Sequence, residues 1–263
     1  MPVGQDAGEP DYLTLLSEMC DDFDRFQQRE NYTLNQQVRN PAQATLLCGL
    51  NSHAHYMVRR CLPLLAESPI AVVPIVRLVF ECGVMAQWLR WVPGSELSLT
   101  EERRRVMKAL TGDLRRSQTP HYREAATAAA QHGVFTKWPE LSDAPPANAA
   151  KFEAICRAFE AESDLYSNYR FLCGYTHAGV DLANVWVVLD DAATARVRVR
   201  HEPAPLLSVA SVGGIAVLAL GWASRAVDDL VGESPRSDFL DNVEQRTQFA
   251  TRLRIKETVQ VVT

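Results

Sequence analysis

The stretch Leu206 to Ser224, LLSVASVGGIAVLALGWAS, carries no charged side chain over about 19 positions. As a helix it rises roughly 28 Å, long enough to cross a bilayer. Three serines and three glycines dilute its hydrophobicity, and neither a basic flank nor a second span accompanies it. A helix enclosed by other helices is also apolar all round. We therefore read it as the central helix of a helical core rather than as a membrane span.

Around that helix, periodicities of three and four residues dominate the chain. Tyr12, Leu15, Leu16, Met19, Phe23 and Phe26 predict a first amphipathic helix. Asn40-Pro41 reads as the N-cap and first turn of a second, running through Leu46, Leu47, Leu50, Tyr56, Met57 and Cys61 and ending near Pro63. Ser68-Pro69 opens a third, almost continuously apolar from Ile70 to Trp91, with Pro74 close to its start. Ser98 followed by Glu101 has the capping-box pattern, predicting a polar helix from Leu99 to about Ser117 that continues after Pro120 to Gln131. Trp138 to Asn148 reads as a proline-rich loop and Lys151 to Glu162 as helix, with Ser163 or Asp164 capping the helix after it.

The pattern changes at Val185 to Leu189 (VWVVL) and Arg196 to Arg200 (RVRVR), where the second run alternates charged and apolar side chains. These read as a β-hairpin with one solvated face, ended by Pro203 and Pro205. A last amphipathic helix is predicted from about Asp238 to Val259. The expected fold is mostly α, a multi-helix bundle in a single helical domain over 1–263, with a small β-hairpin insertion around 185–200 and C-terminal helices over about 205–259.

Composition bounds the function. With 47% hydrophobic and 22% charged residues the chain has an ordinary globular balance. A net charge of −5 argues against coating nucleic acid through bulk positive charge, while leaving room for a local basic groove. Cys20, Cys48, Cys61, Cys82, Cys156 and Cys173 form no Cys-x-x-Cys pair, and five lie in apolar helical runs, the usage of buried thiols in a reducing compartment. Met1 to Pro10 is acidic and shows no basic region followed by an apolar run, so the cytoplasm is the expected location. His53 and His55, two apart, point to different sides of a helix, and no Cys/His/Asp cluster has ligand spacing. Gly213-Gly214 sits inside the apolar helix, and no serine lies in a Gly-x-Ser-x-Gly context. Neither a metal nor a cofactor is expected.

The segment Tyr166 to His177, YSNYRFLCGYTH, carries the most specific chemistry. Seven residues at ~100° fall about 20° short of two turns, so Arg170 and His177 share a helix face. Gly174 lies between them at a cost of roughly 1 kcal/mol relative to alanine, which points to close approach by a neighbouring backbone or a phosphate. Phe171, Leu172 and Tyr175 occupy other faces and would anchor the helix in a core. Imidazole can take a proton from a hydroxyl, and a guanidinium suits a phosphate whose charge is growing. Together they would serve attack of an RNA 2′-hydroxyl on its neighbouring phosphate without a metal. The plainer alternative makes His177 a polar residue at a helix end and pairs Arg170 with an acid.

Arg170-x6-His177 near the end of a helix, in an all-helical chain, resembles the HEPN superfamily, whose defining motif is an arginine, four to six residues, then a histidine. Ile75 to Glu81 (IVRLVFE), with Trp88-Leu89 following, also resembles one bacterial HEPN-like family of unknown function, in which an Arg-x3-Glu helix precedes a helix with a Tyr-x-x-Leu/Ser-x-x-x-His pattern. The similarity covers about 43–178. It implies a helical bundle that is frequently a homodimer, its two motifs facing each other across the interface. Many such proteins are metal-independent endoribonucleases of defence or toxin–antitoxin systems, where an antitoxin-type protein is a partner, and others bind nucleotides or have lost activity. On this resemblance Arg170 stabilises the phosphate and His177 acts in proton transfer. Active members commonly place a polar residue, often Asn, after the arginine. Here that position is Phe171, and Asn168 precedes the arginine instead.

Arg77 and Glu81 stand four apart on an otherwise apolar helix, where they pair with each other or Glu81 reaches across to Arg170 or His177 and orients the site. Two basic clusters, Arg103-Arg104-Arg105 with Lys108, Arg115 and Arg116, and Arg246, Arg252, Arg254 with Lys256, read as solvated faces with RNA contact as the alternative. Two functional classes follow. One is a HEPN-like protein that binds RNA or a nucleotide, with RNA cleavage at Arg170 and His177 supported by Glu81, Arg77 and Asn168. The other is a non-catalytic helical module that binds a ligand or a partner.

Overall fold

A computed structural model describes residues 10–29, 34, 41–131, 151–191 and 196–257. Among these residues the chain is mostly helical, and its β structure is a two-stranded antiparallel hairpin with two isolated bridges. The apolar run becomes α9 (Val209–Asp228), enclosed by α1 (Tyr12–Gln27), α2 (Pro41–Glu67), α3 (Pro69–Trp91) and α10 (Ser237–Thr247). Among the described residues two helices, Pro69–Trp91 and Val209–Asp228, are long and apolar enough to cross a membrane, so a second stretch of spanning length exists where the sequence reading found none. Of their apolar windows, 72% of that of α9 and 50% of that of α3 are buried inside the protein.

Small residues decide how closely these helices approach. A Cβ placed on Gly83 of α3 would lie 2.4 Å from the carbonyl oxygen of Ala219 in α9. On another face of α9, Gly213 would press 3.0 Å against the Cβ of Tyr12. Leucine and valine side chains fill the rest of the seam: Leu15, Leu16, Leu65, Val76, Val79, Val217 and Leu220 are fully buried. Burial of this kind contributes about 1.5–3 kcal/mol per large aliphatic side chain.

Several helix ends differ from the sequence expectation, each for a local reason. Helix α2 runs through Pro63 to Glu67, its last turn anchored by the fully buried Leu65. The Ser98–Glu101 capping box does not form. Helix α4 (Ser95–Arg116) starts earlier, from Gly94 in the left-handed region at φ 71°, and Ser98 donates to the Gly94 carbonyl while Glu101 pairs with Arg104. Ser117 to Thr119 interrupt the predicted continuation, so α5 (Pro120–Gln131) is a separate helix. Helix α6 (Phe152–Cys156) is shorter than the predicted 151–162, because Phe159 leaves the helix to bridge Ile255. Ala161, not Ser163 or Asp164, is the N-cap of α7 (Glu162–Thr176).

A short helix not foreseen, α8 (Val180–Trp186), takes up Val185 and Trp186, leaving β1 (Val187–Asp191) to pair with β2 (Arg196–Val199). The predicted helix over 238–259 stops at Thr247, where Gln248 turns left-handed at φ 60° and the chain continues extended across the bundle. Trp138 to Asn148, Asn40 and the hairpin turn at 192–195 lie outside the described residues.

Polar side chains enter this core where helices meet. Arg225 is fully buried, donating to Thr251 Oγ1 and Ser237 Oγ at 3.0 Å each and to Asp241. Gln87 donates to the Trp222 carbonyl at 2.8 Å and accepts from the Leu253 amide at 3.1 Å. His55 stacks on Phe23 and shares a 2.9 Å hydrogen bond with Ser224 Oγ. The buried cysteines are chemically quiet, burial pushing the Cys82 and Cys156 thiols up to about 12.

Two outcomes are expected. Gly83→Ala forces α3 and α9 apart and costs about 1–3 kcal/mol in urea denaturation, and an unchanged midpoint contradicts the close approach. Burial, with Arg236 and Arg59 adding to it, holds the His55 imidazole well below its ordinary value. The unfolded chain therefore binds the proton more readily. The stability tied to neutral His55 is complete above about pH 6.5 and is lost as pH falls below it. His55→Gln flattens that acid limb in thermal melts taken across the range.

Candidate functional site

Helix α7 packs on α3 and α6, and this contact builds the site. Its core side is set by Leu165 and the fully buried Leu172, with Tyr169 and Tyr175 packed against the same cluster. Phe171, expected as a core anchor, is instead 39% exposed and meets Tyr175 edge-on. The helix ends at Thr176. His177 is its C-cap, in extended backbone, with its amide still bonded to the Cys173 carbonyl.

Arg77 of α3 is the hub. Its Nη1 lies 3.0 Å from Nε2 of His177, and its Nη2 donates to the Tyr169 hydroxyl at 3.0 Å. Its Nε faces Glu81 Oε1 at 3.1 Å, an ion pair between side chains only 19% and 22% exposed. The guanidinium carbon also stands 5.1 Å from the Tyr169 ring centroid. Of the two alternatives for this pair, the structure shows the intrahelical ion pair: among the described residues Glu81 makes no hydrogen bond or ion pair to Arg170 or His177, and it is Arg77 that reaches across to α7.

The electrostatics follow from partial burial. Burial lifts the Glu81 carboxyl above its ordinary value, and Arg77 and then His177 pull against that. Burial, then the neighbouring Cys173 thiol, lifts the Tyr169 phenol, while Arg77 opposes the shift. Arg77 moves up: burial disfavours its charge, but Glu81, Cys173 and Tyr169 together favour it more.

Arg170, on the same helix, is exposed, and its side chain has no hydrogen-bond or ion-pair partner among the described residues. No hydrogen bond joins it to His177. The close approach at Gly174 comes from a side chain rather than a helix backbone: a Cβ there would lie 2.8 Å from Oδ2 of Asp181 in α8. Asn168 turns its amide back onto the Asp164 carbonyl at 3.0 Å, within its own helix. Sequence reasoning found Arg77, Glu81 and His177 but missed Tyr169 and Cys173. Their signal was the four-residue spacing of Tyr169, Cys173 and His177 along α7.

The two basic clusters separate. The C-terminal one is largely consumed internally, Arg246 on Glu18, Arg252 on Asp229 and Lys256 on Glu162. On α4, Arg104, Arg105 and Arg116 pair with Glu101, Glu102 and Asp113, which leaves Arg103, Lys108 and Arg115 exposed and unpaired among the described residues. No group of three or more His, Cys, Asp or Glu side chains is placed to hold a metal ion among the described residues. Set against families of known proteins, curated proteins and solved structures, the chain matches none.

Removal of Arg77 tests the hub. Arg77→Met strands the Glu81 carboxylate at a cost of about 1–3 kcal/mol. The Glu81 proton is held more firmly in the folded chain than in the unfolded one, so the penalty is small near pH 4 and grows as pH rises toward about 7. Urea titrations at the two pH values check this, and a pH-independent loss contradicts it.

Proposed function

We propose that this chain is a HEPN-like protein that binds RNA or a nucleotide through a phosphate at the α3–α7 junction. The reading rests on one observation: Arg170 is an exposed cation without an internal acid partner among the described residues, on the helix whose end presents His177. A guanidinium in that condition offers its whole fork to an anion. The Arg-x6-His spacing and the Arg77–Glu81 pair support the same reading. In the catalytic form of this proposal the protein is a metal-independent endoribonuclease: a 2′-hydroxyl passes its proton to His177 and attacks phosphorus, the bond from phosphorus to the 5′-oxygen breaks, that oxygen takes the proton from the imidazolium, and Arg170 steadies the phosphoryl charge. A homodimer facing its two sites together, an antitoxin-type partner and a cytoplasmic location belong to the same proposal.

One observation favours the non-catalytic reading of the same scaffold. Arg77 occupies Nε2 of His177, leaving that nitrogen no lone pair to act as a base.

Single-stranded RNA in chelator, followed by fluorescence anisotropy and by gel, tests both forms. Binding is expected to weaken about tenfold or more in Arg170→Ala, the loss of one charge-assisted contact. Asp181→Asn, which removes the carboxylate seated over Gly174, is expected to tighten it. The salt dependence should be shallow, near 0.7 per phosphate contact. RNA that stays both unbound and intact at high protein concentration defeats the proposal, and bound but intact RNA leaves the binding form alone.

A further inference from the structure

We infer that Arg77 is the positioning residue of this site: it fixes the neutral imidazole of His177 with its hydrogen on Nδ1, so that His177 meets a phosphate as a hydrogen-bond donor. The argument needs only the inventory of donors. A guanidinium has N–H groups and no lone pair to offer, so the 3.0 Å contact between Arg77 Nη1 and His177 Nε2 requires Nε2 to accept. A neutral imidazole whose Nε2 accepts carries its hydrogen on Nδ1. No hydrogen bond takes up Nδ1 among the described residues, and His177 is exposed, so this N–H is available to a ligand.

Arg77 can impose this because it is itself held. Glu81 faces Nε at 3.1 Å and Tyr169 takes Nη2 at 3.0 Å, with the phenol ring beneath the guanidinium. These contacts come from two helices, α3 and α7, so rotation of the fork would break bonds on both. His177, by contrast, sits just past the end of α7 and would turn freely without the bond to Arg77. The contact selects a tautomer as well as a ring orientation.

The consequence is chemical. A phosphate oxygen accepts hydrogen bonds and gives none, so an N–H at Nδ1, on the helix that also carries the exposed guanidinium of Arg170, matches a phosphodiester or a phosphate monoester. While Arg77 holds Nε2, His177 donates a hydrogen bond that orients a phosphate oxygen instead of abstracting a proton. This inference deepens the phosphate reading and rests on it for the ligand, though the tautomer itself can be read without any ligand.

Long-range ¹H–¹⁵N NMR of the full chain labelled at histidine separates the tautomers, with the His177 signals assigned by their loss in His177→Gln. In the free protein near pH 8, where histidine is neutral, His177 is expected to show the Nδ1–H pattern. Arg77→Met should convert it to the Nε2–H form or to a mixture, and Arg77→Lys, which keeps a charge and a donor, should retain Nδ1–H. An Nε2–H pattern in the wild type, or an Nδ1–H pattern that survives Arg77→Met, overturns the inference. Should Arg77→Met fail to fold, Glu81→Gln loosens the hub without removing it, and a shift of the His177 signals toward the mixture is the expected result. Titration with inorganic phosphate supplies the second arm. An Nδ1–H tautomer with no phosphate-induced shift keeps Arg77 in its positioning role and defeats the phosphate reading, and an Nε2–H tautomer with a clear shift does the reverse.

Discussion

Where α3 crosses α9, the hydrogen of Gly83 stands in for a side chain that would collide with the Ala219 carbonyl. Everything around the crossing takes its position from it. At this separation Gln87, one turn further along α3, reaches the Trp222 carbonyl, and its own amide oxygen is left to accept from Leu253 in the C-terminal strap. In the other direction along α3, a turn and a half away, Arg77 comes to the α7 side at the depth that lets it reach both Tyr169 and His177. A backbone contact without side chains thus sets the reach of two polar side chains, one in the core and one in the candidate site.

The same crossing accounts for the C-terminal segment. Helix α9 carries Arg225 into a fully buried position, and a buried guanidinium is costly unless each of its donors is met. Asp241 and Ser237 of α10 meet part of it, but Thr251 is needed for Nε. A helix continuing past Thr247 would carry Thr251 along the helix axis rather than back over α9. The left-handed turn at Gln248 ends α10 and brings Thr251 and Leu253 down onto Arg225 and Gln87. The strap then pairs with Phe159, which in turn cuts α6 short. Two departures from the sequence expectation share this one cause, the satisfaction of buried polar groups on α3 and α9.

This is also why some features were legible in the sequence and others were not. The apolar run of α9, the period of α1 and the alternation of the hairpin are properties of neighbouring residues, so they could be read directly. Helix ends set by distant partners could not. Nothing near residue 247 announces that Thr251 is wanted by Arg225. The capping pattern at Ser98 was a sound local signal overridden by Gly94, which supplies a tighter turn four residues earlier. In the site, Arg77, Glu81 and His177 stood out because charge on an apolar helix and histidine at a helix end are conspicuous. Tyr169 and Cys173 looked like core residues, and in part they are: Tyr169 packs on Phe152 with its ring while its hydroxyl accepts from Arg77. A side chain that does both cannot be divided by sequence pattern alone.

The two arginines near α7 have therefore taken opposite parts. Arg77 lies 19% exposed with a carboxylate, a phenol and an imidazole around it, so its charge is compensated and its geometry fixed. Arg170 is exposed and uncompensated, with Asp181 over Gly174 as the acid that approaches the same face. Committing one arginine to orient His177 leaves a single mobile cation and a directed N–H. On the proposed reading those two groups would recognise one phosphate, and they carry too little charge to hold a long strand. On the same reading, selectivity would arise from what surrounds the phosphate, and Phe171, next to Arg170 in sequence and 39% exposed, is the aromatic ring that α7 leaves open to solvent there.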